Sequence, residues 1–255
     1  MSYAAAILIV ALSAAFAAGA SFLVDRLVRL DARRRNHEIG GQVFQLIGVM
    51  FSVMLAFVFS EVWGEYNTAA EAIRSECGAL HGAAMLATAL PDRIGRPVNR
   101  ALLSYVNEVS NVEWPKMAKE RRSLEAAEGL RSALDVTARL DVTRAVDVST
   151  HGQILALLAQ AHAHRETRVF QLTLGLPPAM WFVLIALALV LTAFVVLSGT
   201  EGAGTMIFAC SFTGAIAAVL VLVRMLDYPF EGALALDNAE FIKLGEQLSH
   251  LLAAS

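Results

Sequence analysis

Residues 43–63 read VFQLIGVMFSVMLAFVFSEVW and decide the fold, because they form an apolar run with a single charged side chain, Glu61. A helix rises about 1.5 Å per residue, so about 20 residues cross the hydrocarbon core of a bilayer, which is about 30 Å thick. A helix also satisfies its backbone hydrogen bonds internally, as the membrane interior requires. The stretch is therefore predicted to span a membrane.

The composition of the whole chain indicates further spans. Of its 255 residues, 57% are hydrophobic and only 17% are charged, and the mean hydropathy is +0.58. This balance, with a net charge of −3, excludes a secreted disulfide scaffold, a soluble enzyme and a nucleic-acid binder with a basic surplus. No Asp, Glu, Lys or Arg occurs in residues 1–24, 39–60, 169–200 or 202–223. The four predicted spans are Ala4–Val24, Val43–Trp63, Met180–Leu197 and Thr205–Val223.

These patterns predict an all-α integral membrane protein, with a helical extramembrane bundle inserted between the second and third transmembrane helices. The second span is expected to continue as one helix to Leu90, where Pro91 stops it. The predicted regions are residues 1–63 with two spans and an Arg-rich loop, 64–176 as the extramembrane domain, 177–226 with the last two spans, and 227–255 as a short C-terminal tail.

Motifs for catalysis are missing from the sequence. It contains no glycine-rich phosphate loop, no Gly-x-Ser-x-Gly elbow and no His-Glu-x-x-His, so we predict neither an enzyme nor a cofactor. Cys77 and His81 are four residues apart and share a helix face, which is a spacing that metal sites use. Two ligands do not make a site, and we therefore interpret them as ordinary helix-surface residues and predict no bound metal.

A column of small residues is the first notable feature of the second span. Gly48, Ser52, Ala56 and Ser60 recur every four residues. Because small side chains let helices approach closely in lipid, the column predicts tight helix packing. A narrow, wetted pore lining is the alternative interpretation.

The opposite side of the same helix carries bulky side chains. Val53, Phe57 and Glu61 lie between about 140° and 220° from Gly48, at about 100° per residue. If this side faced a symmetry axis, it would form a hydrophobic constriction with an acidic ring at its mouth. Glu65, one turn beyond Glu61, would reinforce that ring, and the negative potential would favour cations.

Several short motifs together resemble the bestrophin-like family of four-span membrane proteins, over nearly the whole chain. They are Leu55-Ala56-Phe57, Val62-Trp63-Gly64-Glu65-Tyr66, Glu76, Leu90-Pro91, Tyr105, Glu113-Trp114 and Asp227-Tyr228-Pro229-Phe230-Glu231-Gly232. That family is distantly similar to bestrophins, which are pentameric ion channels. The resemblance implies a homo-oligomer, a pentamer by the bestrophin stoichiometry, with the lipid bilayer and permeating ions as its other partners and no nucleic acid.

The resemblance also assigns roles within the second span, which lines the pore of bestrophins. Phe57 matches the phenylalanine of their hydrophobic neck. The two neck positions one and two turns earlier fall on Val53 and Val49, which are smaller than the residues expected there. Similarity to animal bestrophins implies a preference for anions, whereas Glu61 predicts a preference for cations.

The Arg26–Arg35 loop, with five arginines, is the densest basic cluster near any span. The positive-inside rule places it in the cytoplasm, and the helical domain then lies on the opposite side of a bacterial inner membrane. The resemblance implies the reverse, because bestrophins keep their large domain in the cytoplasm.

We predict an ion channel from these observations. A membrane-anchored sensory or protein-interaction module without transport is the main alternative. A secondary transporter is disfavoured, because neither internal repeats nor broken spans are visible.

Overall fold

A computed structural model describes residues 1–27, 37–141, 144–198 and 203–254. All regular secondary structure in this part of the chain is helical. Residues 28–36 of the predicted Arg-rich loop lie outside the described residues. The helices are α1 (Tyr3–Leu27), α2 (His37–Thr88), α3 (Asp92–Glu108), a π-helical turn (Val109–Glu113), α4 (Trp114–Met117), α5 (Leu124–Ala138), α6 (Ala145–Phe170), α7 (Pro178–Ser198), α8 (Ala203–Leu226) and α9 (Ala239–Ala254).

Within the described residues, four helices are long and apolar enough to cross a membrane, as the sequence predicted. The candidate spans are Tyr3–Leu27, Gly40–Thr88, Pro178–Ser198 and Gly204–Leu226. The second is far longer than a bilayer needs, because α2 continues without interruption to Thr88, just before Pro91. The prediction of one helix that extends well beyond the span is confirmed.

The chain divides into two compact units. The first comprises Met1–Gly64 and Gly175–Asp227, and the second comprises Glu65–Leu174 and Tyr228–Ser255. All four predicted spans belong to the first unit. The helix α2 contributes its residues up to Gly64 to the first unit and the remainder to the second.

In the first unit, α1 packs chiefly against α8 and also contacts α7. Small residues make this approach possible: a Cβ added to Gly214 would lie 3.5 Å from the Cβ of Ala14. The Cys210 thiol also donates a hydrogen bond to the Ala14 carbonyl at 3.2 Å. On α2, the Phe44 ring stacks on Phe194 of α7 with their centroids 4.8 Å apart.

The second unit is a helical bundle with its own core, in which α3 packs against α5 and α9. Ser123 caps α5 as its side-chain oxygen accepts a hydrogen bond from the Ala126 amide. The residues predicted as a C-terminal tail contain α9, whose Phe241 and Leu248 are fully buried. This last part of the chain therefore belongs to the core of the second unit.

Candidate functional site

Two parts of the molecule carry the residues that the sequence singled out, one in each unit. In the first unit, α2 has a packed side and an exposed side. Phe51, Val58 and Val62 form the packed side and are between 0% and 5% exposed. Their spacing of seven and four residues follows the helical repeat, so they lie on one side of α2. This side is the one that α2 turns toward the rest of its own chain.

The predicted neck residues all lie on the exposed side of α2. Phe57 is 74% exposed, Val49 57% and Val53 51%. They are spaced by four residues and so form one nearly continuous apolar column. No described part of the same chain covers this column, which leaves it open to lipid or to another subunit.

The column of small residues on α2, which was predicted to pack against other helices, makes few contacts with the described part of its own chain. Gly48 is half-buried and faces Leu191 of α7, whereas Ser52, Ala56 and Ser60 are exposed. At about 100° per residue, Ser60 lies between Val49 and Val53 when viewed down the helix axis. The two columns therefore share one broad exposed side, and close packing of the small residues against another subunit stays a prediction.

Acidic residues follow the apolar column. Glu61 is exposed and belongs to the first unit. Glu65, one turn on, is half-buried and belongs to the second unit. Both residues lie on α2.

In the second unit, two glutamates of the family motifs meet two arginines in the core. Arg168 donates from Nε to Glu76 Oε2 at 2.8 Å and from Nη2 to Glu113 Oε2 at 2.8 Å. Arg165 donates from Nη2 to the other oxygen of Glu113. The four side chains are at most 3% exposed, and their formal charges cancel. We call Glu76, Glu113, Arg165 and Arg168 the buried charge cluster.

Further side chains surround Arg168 and its partner Glu76. The Nη1 of Arg168 lies 2.8 Å from the Met117 sulfur, and Tyr105 donates its hydroxyl hydrogen to Glu76. The guanidinium also lies 5.6 Å from the centre of the Trp114 ring and 5.3 Å from that of Phe241. Such cation–π contacts are strongest when both groups are shielded from water, as Arg168 and Phe241 are here.

Local helix geometry places Glu113 in this core. The five residues Val109–Glu113 form a π-helical turn, which widens the helix between α3 and α4. Turns of this kind change the register of the residues that follow and recur at functional sites. Here the turn ends on the one glutamate that binds both arginines.

Burial and neighbouring charges shift the pKa values of Tyr105 and Arg168. Burial raises the pKa of Tyr105 well above its ordinary value, and the negative charge of Glu76 raises it further. Burial alone would lower the pKa of Arg168, but the carboxylates of Glu76 and Glu113 outweigh it, and the pKa is raised. Tyr105 thus remains a donor and Arg168 a cation, which suits a permanent clamp between helices.

The remaining family-motif residues lie either next to the buried charge cluster or in other parts of the chain. Phe230 meets the Trp114 ring edge-on, with 5.9 Å between centroids, and the carbonyl of Pro229 accepts from the Leu236 amide at 2.8 Å. Gly232 has a φ of 88°, which residues with a Cβ rarely adopt, so this turn favours glycine. Asp227 belongs to the first unit, where it accepts from the Leu176 amide at 2.9 Å.

The sequence analysis missed Arg165, Arg168 and Phe241. A signal for the arginines was present, because they follow Leu158 and Ala161 at helical spacing on one face of α6. Two arginines in an otherwise apolar column predict buried ion pairs, since burial without an acidic partner would cost too much. Their partners lie 52 to 92 residues away in the sequence, and no local pattern identifies them.

Removal of Arg168 should destabilise the second unit strongly. Arg168→Met keeps the length of the side chain but leaves Glu76 and Glu113 short of one buried cation, and we expect a loss of about 3–5 kcal/mol in the free energy of unfolding. Chemical denaturation of the purified protein in detergent measures this loss. The exposed Arg131→Met is the control, for which we expect a change below about 1 kcal/mol. Equal losses in the two variants would contradict the assigned role.

Comparison with known proteins identifies the family. The model of the Bestrophin-like domain matches residues 11–241. Two crystal structures of variants of a bacterial Bestrophin homolog from Klebsiella pneumoniae have the same fold. One has a TM-score of 0.75 at 14% identity, with 95% of this chain and 98% of that chain covered, and the other 0.77 at 13%, with 96% and 99% covered.

A third crystal structure, described as a membrane protein, has a TM-score of 0.76 at 13% identity and covers 95% of this chain and 98% of its own. The search of curated proteins found no match. The resemblance drawn from the sequence motifs is thus confirmed, and the match of the family model over most of the chain shows that this protein belongs to the Bestrophin-like family.

Proposed function

We propose that the protein is a homo-oligomeric ion channel whose pore is lined by the exposed side of α2. The observation that carries the proposal is the apolar column of Val49, Val53 and Phe57, which the chain leaves uncovered although the opposite side of the same helix is packed. The family supports it, because the resemblance to bestrophins implies a pore lined by the second span. Passive conduction also needs no catalytic groups.

A homo-oligomer gives this column a position at a symmetry axis. A ring of several Phe57 side chains at one level would narrow the pore, and apolar constrictions of this kind stop ions by excluding water. The small residues Ser52, Ala56 and Ser60 lie beside the column and would let neighbouring copies of α2 approach closely. The stoichiometry proposed from the bestrophin resemblance is a pentamer.

We place the protein in a bacterial inner membrane, with the Arg26–Arg35 loop in the cytoplasm and the helical domain on the opposite side. The basis for this orientation is the positive-inside rule. The main alternative function, a sensory or protein-interaction module without transport, requires no flux. Ion flux through liposomes containing the purified protein, measured together with the mass of the oligomer, separates the two functions.

Phe57→Ala should increase ion flux. The change shortens the apolar ring, so the neck becomes wider and wetter, and we expect higher conductance or a channel that stays open. Liposome flux at equal amounts of reconstituted oligomer is the measurement.

Phe51→Ala is the matched control on the packed side of α2. Phe51 is 5% exposed, so its truncation should cost about 3–5 kcal/mol of stability without raising flux. If Phe57→Ala instead loses the oligomer or its expression, and what remains shows no gain of flux, Phe57 is a packing residue and the neck proposal fails.

Glu61→Gln should reduce selectivity for cations. A ring of glutamates at the pore mouth attracts cations, so the wild-type reversal potential should lie toward the cation limit, which is about 59 mV for a tenfold salt gradient. We expect Glu61→Gln to move this potential toward zero. Glu128→Gln, at an exposed position of α5 in the second unit, should leave it unchanged. An unchanged potential in Glu61→Gln would remove this residue from the selectivity mechanism.

Labelling of single cysteines tests the orientation. In a background without Cys77 and Cys210, Arg34→Cys should react with an impermeant reagent only from the cytoplasmic side. Leu124→Cys, at a position 77% exposed in the second unit, should react only from outside the inner membrane. The reverse pattern would give the orientation of bestrophins and overturn ours.

A further inference from the structure

A groove of about 370 Å³ lies between α2 and α9 in the second unit. Residues spaced by three and four positions line it from both helices, so each helix presents one face to it. The sequence analysis had noted two of these positions, Cys77 and His81, for a spacing that suits metals. The lining includes Arg74, Cys77 and His81 of α2 and Glu240, Lys243 and Gln247 of α9.

The donors around the groove suit an anion better than a metal. Among the residues that the structure describes, no group of three His, Cys, Asp or Glu side chains could hold a metal ion. Arg74 and Lys243 bring two positive charges against the single negative charge of Glu240. The lining residues therefore carry one net positive charge and several hydrogen-bond donors.

Two side chains have bonding capacity to offer a ligand. His81 Nδ1 is buried and has no hydrogen-bond partner among the described residues, which is a costly condition for a polar nitrogen. Arg74 is engaged only weakly, as its Nη1 lies 3.7 Å from Glu71 in a solvent-exposed pair. Arg74 and His81 both line the groove, and a planar guanidinium matches the several oxygens of an oxyanion.

We propose that this groove binds a small oxyanion, either a carboxylate or a phosphate. Arg74 and Lys243 would hold the oxygens by charge-assisted hydrogen bonds, and His81 would donate from Nδ1. The apolar part of a small organic anion would lie along Cys77. The bound anion would join α2 to α9 across the groove and so stabilise the second unit.

The first experiment measures binding to the full-length protein in detergent, and its outcome does not depend on conduction. Thermal unfolding is followed during titration with sodium succinate, sodium phosphate and sodium chloride at matched ionic strength. We expect a saturable rise in the melting temperature with succinate, phosphate or both. The anion that produces the rise shows whether the groove binds a carboxylate or a phosphate. A response to neither oxyanion, or an equal response to chloride, would overturn the proposal.

Variants of the groove test the assigned donors. Arg74→Gln and Lys243→Gln each remove one exposed charge, and we expect the apparent Kd to rise about tenfold or more. Lys119→Gln, an exposed lysine outside the groove, is the control and should bind as the wild type does. Wild-type affinity in Lys243→Gln or Arg74→Gln would mean that the anion binds elsewhere.

A pair of substitutions at position 81 separates a binding role from a structural one. His81→Asn places an amide N–H near the position of Nδ1 and should retain affinity within a few-fold. His81→Leu fills similar space without a donor and should lose it. If the two variants unfold at similar temperatures without anion but differ in Kd, His81 is a ligand-binding residue, whereas equal affinities would exclude it.

Discussion

The core of the second unit depends on the ion pairs of one buried side chain, Arg168. It is fully buried, and each branch of its guanidinium has a partner: Glu76, Glu113 or the Met117 sulfur. A charge in this environment is tolerated only when acidic groups surround it closely, so the helices that carry those groups have little freedom to move apart. The aromatic rings of Trp114 and Phe241 then exclude water from the same point. The ion pairs of Arg168 and the apolar packing around it thus favour the same arrangement of the surrounding helices.

The helix α2 belongs to both units. It carries Phe57 in the first unit and Glu76 in the second, and it is helical from His37 to Thr88. In the second unit, Glu76 is held by its ion pair with Arg168, whereas in the first unit Val62 is fully buried. Each part of α2 is therefore held within its own unit, by charge in one and by apolar packing in the other.

The sequence predicted those features that local patterns determine. Charge-free windows of at least 22 residues gave the four spans, and Pro91 gave the end of α2. The motif glutamates Glu76 and Glu113 were identified from the family resemblance, but their partners were not. The helical spacing of the α6 arginines indicates that they are buried, yet no local pattern shows which glutamates they meet. The packed side of α2 could not be predicted either. Phe51 and Phe57 are the same residue type on the same helix, and they differ only in whether other side chains surround them.

The distances along the chain within the buried charge cluster have a consequence for biosynthesis. Glu76 and Arg168 are 92 residues apart, and at about 5–20 residues per second the ribosome needs roughly 5 to 20 s to bridge that interval. From the synthesis of Glu113 until that of Arg165, 52 residues later, both glutamates have been made and neither arginine has. Phe241, which covers Arg168, is translated only after α7 and α8. The core of the second unit therefore cannot be completed until α7 and α8, the last two candidate spans, have been translated.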